Sequence, residues 1–495
     1  MNVLCVHSCR ESESAQQIAL GRMGEICFPP QWQQLELRLS LQKFDGAGFI
    51  LEIHGTEVII RAGSTREFIA GVGSLLSHVR KAAEDSVRLA DGVYTEIPES
   101  PVRVHYMPGH FGNGFEVAWP GEMGRYLEDL ALWGASGYGD WFDPNDMPDP
   151  YHPHVYCSTS MTLWQRKKEF LRKAKDLGLD TMLVVAHNVG FVDQMRPEWT
   201  GVRSHAHRVQ GQVLCPSIPE ARRVCLQNHE NLFRDLVASG VVLDRLNYNP
   251  YDDGGCACET CQPYYPTFLK MVEEIHAIAR RYFPKVTLDL CGWWTSDEEM
   301  RLIREFVAGP AREWFNGYQF SATYGVFELP DVRASLGNMP LSTFFHIGFS
   351  REPKDTYLKT GIHSAPRRIQ SVIRSFPDQQ CLGFNTYNES FGDHYNQFMC
   401  SRLGRTPGAD IRALTEDYCR QMFALRGDDL RAAVEVLLAM EDLDESRADV
   451  WQTVLEGIRP RVQTPPRQAW AFEHFRLITP AIKLFAHELH FHAAA

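Results

Sequence analysis

The chain has 495 residues, too many for one ordinary core, so two or three domains are expected, although an α/β barrel alone takes roughly 250 residues. With 44% hydrophobic and 23% charged residues it reads as a soluble globular protein, and a formal net charge of -12 argues against nucleic acid as a main partner and for a neutral or weakly charged one. The first residues, MNVLCVHSCRESESAQQIAL, lack a basic segment leading into an apolar core. No later window holds the roughly 18 uninterrupted apolar residues of a membrane helix. No membrane partner is expected, the expected location is cytoplasmic, and self-association is left open.

Residues 1–100 read as a small α/β domain. GFILEIHGTEVIIRAG alternates as a hairpin turning at Gly55-Thr56, and STREFIAGVGSLLSHVRKAAED follows at helical spacing, with Ser64 and Glu67 placed to form a capping box. EIPESPVRV is a linker. Over 101–407 strand and helix alternate until eight strands are counted, near 102–108, 137–142, 181–187, 241–249, 286–293, 315–323, 342–349 and 381–388. Eight such units predict a (β/α)8 TIM barrel, with a doubly wound open sheet as the rival; the first turn lacks the Gly-rich phosphate signature of the rival. From 408 to 495 only helical patterns remain, which predicts a helical C-terminal domain.

In a TIM barrel the chemistry lies beyond the C-terminal ends of the strands. The predicted ends carry His110; Trp141 and Asp143; His187 and Asn188; Tyr248, Asp252 and Asp253; Trp293 and Trp294; Tyr324; His346; and Tyr387, Asn388 and Glu389. Carboxylates, amides, imidazoles and aromatic rings with little Lys or Arg suit a sugar: rings stack on pyranose faces, polar groups bond hydroxyls, and two carboxyl groups manage the proton and the oxocarbenium charge. Asp252, Asp253 and Glu389 are the catalytic candidates, because ionisable groups at barrel strand ends are costly without a role, and the neighbouring Asp252 and Asp253 also repel each other. His187, Asn188, Tyr248, Trp293, Trp294, His346, Tyr387 and Asn388 are the substrate-binding candidates. Asp143 equally suits a turn before Pro144, and Tyr324 equally suits packing.

The thirteen cysteines are scattered through a large chain, which does not suit a general disulfide framework. The stretch VVLDRLNYNPYDDGGCACETC is the exception, since Cys256, Cys258 and Cys261 lie within six positions. A zinc site needs a fourth ligand, and Cys215 in VLCPSIPEAR precedes the helix that leads into strand four; the alternative is free thiols in a tight loop. Four thiolates close the coordination shell, so such a zinc braces the loop that carries the aspartates and activates no water. His205 and His207, in the same long loop as Cys215, are a weaker metal pair that also suits the surface.

The α/β domain followed by a barrel, with LCPSIPEAR, PYDDGGCACETC and GFNTYNESFGDHYNQF, resembles family 20 hexosaminidases, α-glucuronidases and bacterial glycoside-hydrolase relatives over about residues 45–425. Family 20 enzymes carry an Asp-Glu pair where this chain has Asp252-Asp253, which is more similar to the pair of family 84 hexosaminidases. The resemblance implies that Asp252 orients a substrate acetamido group and Asp253 protonates the leaving oxygen. The resulting expectation is a glycoside hydrolase, of β-N-acetylhexosaminidase type in its substrate-assisted form, with Glu389 as nucleophile or base in a direct form. The alternatives are a metal-dependent lyase or isomerase using His187 and His346, and a non-catalytic sugar-binding protein.

Overall fold

In the computed structural model the chain is described over residues 2–26, 28, 32–85, 89–110, 113–142, 144, 147–152, 159–202, 213–250, 255–292, 295–323, 333–347, 364–388, 390–442, 444–462, 470–477 and 479. Asp143, His205, His207, Asp252, Asp253, Trp293, Trp294, Tyr324 and Glu389 lie outside these residues.

Period-2 alternation in LRLSL, FILEI and EVIIRA builds a five-stranded mixed sheet of β1 (Asn2–His7), β2 (Glu36–Lys43), β3 (Phe49–His54), β4 (Glu57–Ala62) and β5 (Gly92–Glu96). Their order is β1-β2-β4-β3-β5. The predicted hairpin is the antiparallel pair β3 and β4, with His54 opposite Glu57. The helix Thr65–Asp85 follows it and covers the sheet with its apolar stripe. Glu67 does not close a capping box. It is buried and meets Arg405 Nη2 at 2.7 Å and Arg103 Nη2 at 3.8 Å, an ionic contact between the sheet domain and the barrel.

Eight parallel strands then close into a barrel: β6 (Val102–Tyr106), β7 (Gly137–Phe142), β8 (Asp180–Val185), β9 (Arg245–Tyr248), β10 (Thr287–Cys291), β11 (Phe315–Thr323), β12 (Leu341–His346) and β13 (Cys381–Tyr387). The TIM-barrel expectation therefore holds, and the open-sheet rival does not. The fourth strand is shorter than the run 241–249 suggests, because Val241–Asp244 only lead into it. The barrel is sealed where β13 meets β6. There Gly383, at φ +134°, sits so close to Val102 that a Cβ would lie 1.9 Å from its carbonyl oxygen, so a side chain would open the seam.

Strand parity divides the buried side chains into two clusters. Residues such as Tyr138, Leu183, Leu246, Tyr248, Leu288 and Phe345 face the surrounding helices in the main core. Val104, Tyr106, Trp141, Met182, Cys291, Phe344 and Tyr387 face the barrel axis. Nearer the N-terminal strand ends the interior is polar. Arg245 pairs with Asp289 at 2.7 Å, Asn316 donates to Asp289 at 2.7 Å, and Asn247 donates to Gln319 at 2.7 Å. Burial raises the Asp289 carboxyl above its ordinary value, with Arg245 opposing. Helices Ile411–Phe423, Gly427–Ala439 and Ala448–Ile458 follow the barrel. No helix among the described residues is long and apolar enough to cross a membrane.

Candidate active site and cysteine cluster

The C-terminal ends of β12, β13 and β6 carry inward residues in register, His346 opposite Tyr387 and Tyr387 opposite Tyr106. Because neighbouring parallel strands bring equivalent side chains together, these residues form a row across the barrel mouth. The His346 and Tyr387 rings lie 5.3 Å apart, Tyr106 and Tyr387 5.9 Å, and Phe344 stacks on Tyr387 at 5.5 Å. Trp141, near the end of β7, extends the row through His110, whose ring is 5.5 Å from the indole, while the Tyr387 hydroxyl lies 3.4 Å from His110 Nε2. The result is a buried floor of aromatic faces and imidazoles at the C-terminal strand ends.

Of the substrate-binding candidates within the described residues, His346 and Tyr387 belong to this floor, and four others do not. His187 points between β8 and the helix Tyr264–Tyr282, where Nε2 meets the Tyr264 hydroxyl and Phe268 lies 4.8 Å from the ring. Tyr248 is fully buried on the same outer side, and burial drives its hydroxyl pKa well up. Asn388 spends its amide N–H groups on Tyr106 O at 2.7 Å and Thr386 O at 3.1 Å, tying β13 to β6. Asn188 donates to Leu214 O and Gly255 O and accepts from Gly255 N, at 2.9, 3.1 and 3.1 Å. It pins the residue two places after Asp253. Each of the four lies near a strand end, but parity turns the side chain outward or backbone groups claim it. His187 and His346 therefore do not converge, as the lyase alternative requires.

Tyr106 and Phe344 belong to the floor and were not singled out in the sequence. Only their even spacing along the strand marks them, and that signal is as strong for core residues.

The four cysteines do converge. Cys215 Sγ lies 3.7 Å from each of Cys256, Cys258 and Cys261, and all four sulfurs lie within 4.8 Å of one another. A disulfide would need about 2.05 Å. Four sulfurs bound at about 2.3 Å around a tetrahedral ion stand about 3.8 Å apart, so the spacing fits a zinc-type centre. The backbone prepares it: Cys215 N donates to Trp199 O and Ala257 N to Val202 O, both at 2.8 Å, and Val202 N points at Cys256 Sγ at 3.3 Å. Ser217 Oγ is 2.9 Å from Cys261 Sγ. Burial pushes the Cys256 thiol up to about 11 and raises Cys261 as well. Burial also acts on Cys258, but hydrogen bonds from the Cys261 backbone and the neighbouring thiols outweigh it and lower that thiol. An all-sulfur donor set of this kind suits a soft divalent ion and leaves no open position.

No family model matches the chain, and no curated protein does. Solved structures do. The GH20 β-N-acetylhexosaminidase from Streptomyces coelicolor A3(2) matches with a TM-score of 0.57 at 12% identity, over 85% of this chain and 92% of that one. A GH138 enzyme targeting pectin rhamnogalacturonan II matches with a TM-score of 0.64 at 9% identity, over 98% of this chain and 69% of the enzyme. A GH84 protein, CpGH84B, matches with a TM-score of 0.57 at 11% identity, over 98% and 87%. The fold is the one that these glycoside hydrolases share. It comprises the N-terminal α/β domain and the eight-stranded barrel, the arrangement that the resemblance implied.

Proposed function

We propose that the chain is a glycoside hydrolase acting on an oligosaccharide or glycoside, with Asp253 as general acid/base. The observation that carries the reading is the aromatic and imidazole floor at the barrel mouth, in a fold shared with glycoside hydrolases of three families. Asp252 and Asp253 lie between β9 and Gly255 in the chain, and Glu389 follows β13. In the substrate-assisted form Asp252 orients an N-acetyl group, which makes the enzyme β-N-acetylhexosaminidase-like. In the direct form Glu389 is nucleophile or base. Trp293 and Trp294 contribute a stacking wall.

In this proposal the four cysteines hold one structural zinc. The ion joins the loop before the helix Pro219–Ala238 to the loop after β9, and so fixes the segment that leads out of the aspartate pair. It takes no part in the chemical step.

A panel of aryl and natural glycosides assayed for hydrolysis tests the reading. Cleavage by the wild type is expected, with a loss of roughly 10²–10⁴ in rate for Asp253→Asn on a natural glycoside and a smaller loss on an activated aryl glycoside, whose leaving group needs little protonation. Full activity of Asp253→Asn on a poor leaving group would remove the acid assignment.

A further inference from the structure

We infer that Trp141 binds the substrate by donating its indole N–H to an oxygen of a neutral sugar, and that Asp140 and Lys167 are positioning residues that hold Trp141 and His110 at the mouth. The inference deepens the glycosidase reading and rests on it.

Trp141 is 5% exposed, belongs to the inner cluster near the C-terminal end of β7, and its Nε1 has no hydrogen-bond partner among the described residues. Indole is a donor only, and buried donors are nearly always satisfied, so an orphan calls for an acceptor from outside the chain. Other buried indoles are served: Trp133 Nε1 donates to Gln421 and Trp164 Nε1 to Asp235. Trp451 Nε1 is also orphaned, but it sits among the C-terminal helices, away from any strand end. Trp141 instead stands beside His110, which adjoins Tyr387, and shares the inner cluster with Tyr106, Phe344 and Tyr387, so in this proposal a sugar lies on those rings with one oxygen at the indole N–H.

The corner is rigidly built. Asp140 Oδ1 accepts from Gly109 N at 3.1 Å and from Trp141 N at 2.7 Å, and Oδ2 accepts from the Tyr138 hydroxyl at 2.7 Å. Lys167, buried on the helix Thr159–Asp176, donates to Gly109 O and, at 2.8 Å, to Trp141 O, and stands 3.5 Å from Asp140 Oδ1. The pair therefore grips both backbone groups of Trp141 and both of the residue before His110. The geometry also bears on substrate class. Lys167 spends two N–H groups on backbone oxygens and its charge faces the Asp140 carboxylate, so it does not reach out to an anionic ligand.

The test uses full-length protein with indole-15N tryptophan, titrated with N-acetylglucosamine, glucose and galacturonate, and the Trp141 signal is assigned through Trp141→Phe. A neutral sugar should move that signal and leave the Trp451 signal in place. On the best aryl glycoside, Trp141→Phe should keep the ring, raise KM and lower kcat/KM about tenfold, with an unchanged melting temperature. Lys167→Met leaves Asp140 buried without its partner and can unfold the protein. Asp140→Asn/Lys167→Met, which removes both charges, should instead fold, raise KM more than it lowers kcat, and recover when Lys167 is restored as Arg with Asp140. If glycosides are cleaved but Trp141→Phe matches the wild type and no sugar moves the indole signal, the inference fails and the glycosidase reading stands. If only galacturonate moves it, the neutral-sugar assignment is overturned. If nothing is cleaved and nothing binds, both fall.

Discussion

Replacing Arg405 by Met tests whether the sheet domain and the barrel are held together by buried charge. Arg405 is 1% exposed, donates to Glu67 at 2.7 Å, and also donates to Glu96 from Nε. Its removal leaves two largely buried carboxylates, with Arg103 at 3.8 Å from Glu67 and Arg402 at 3.5 Å from Glu96 as weaker partners. Breaking a buried pair from one side costs about 3–5 kcal/mol. With an unfolding entropy of ~2.1 cal/mol/K per residue, the 495 residues give about 1 kcal/mol per kelvin, so Tm should fall by about 3–5 °C if the two domains unfold together. The pH dependence carries a sign. Burial acts to raise the Glu96 carboxyl, but Arg402 and Arg405 outweigh it and hold it below its ordinary value. A depressed carboxylate contributes stability that is present above its unfolded pKa and lost as pH falls through the folded one. The wild type therefore loses this contribution in acid, whereas in Arg405→Met protonation relieves the stray charges. The deficit should be widest near neutrality and narrow below about pH 5. Urea titrations across pH measure it, and adding Glu67→Gln and Glu96→Gln to the variant should recover most of the loss. A deficit under about 1 kcal/mol, or one that does not change with pH, would refute the reasoning.

Protein prepared without added metal should carry about one zinc per chain by elemental analysis, lost in Cys256→Ser, and chelation should loosen the 255–261 segment to proteolysis while the barrel core stays folded. Metal-free protein in which all four thiols react freely would count against the centre. Of Trp293→Ala and Trp294→Ala, one should raise KM with little change in melting temperature, because consecutive residues at a strand end point to opposite sides. Two unfolded variants would assign the pair to the core. Glu389→Gln should damage natural and activated glycosides alike if it is nucleophile or base, and should be milder if Asp252 serves an acetamido route; steady-state kinetics on both substrates separates the two.

The barrel and its N-terminal partner were legible from local patterns, because strand alternation, helical spacing and the turn at Gly55 depend on neighbours in the chain. The cysteine cluster was legible too. Its three closely spaced thiols have few other uses, and the fourth, Cys215, lies on an adjacent βα loop that the barrel topology brings to the same face. What the sequence could not rank was which strand-end residue enters the site. Period 2 places every second side chain on the axis, and a one-residue error in a strand boundary reverses the choice. His187 and Tyr248 consequently lie in the outer core, while His346 and Tyr387 lie on the floor beside Tyr106 and Phe344, residues with no distinctive local signal. Glu67 gives the same lesson: three residues after Ser64 it satisfies a local capping rule, but Arg405, 338 positions away in the chain, claims its carboxylate. Charge pairing at that range, like the grip of Asp140 and Lys167 on Trp141, exists only once the barrel has closed, because only closure removes the water that would otherwise screen it.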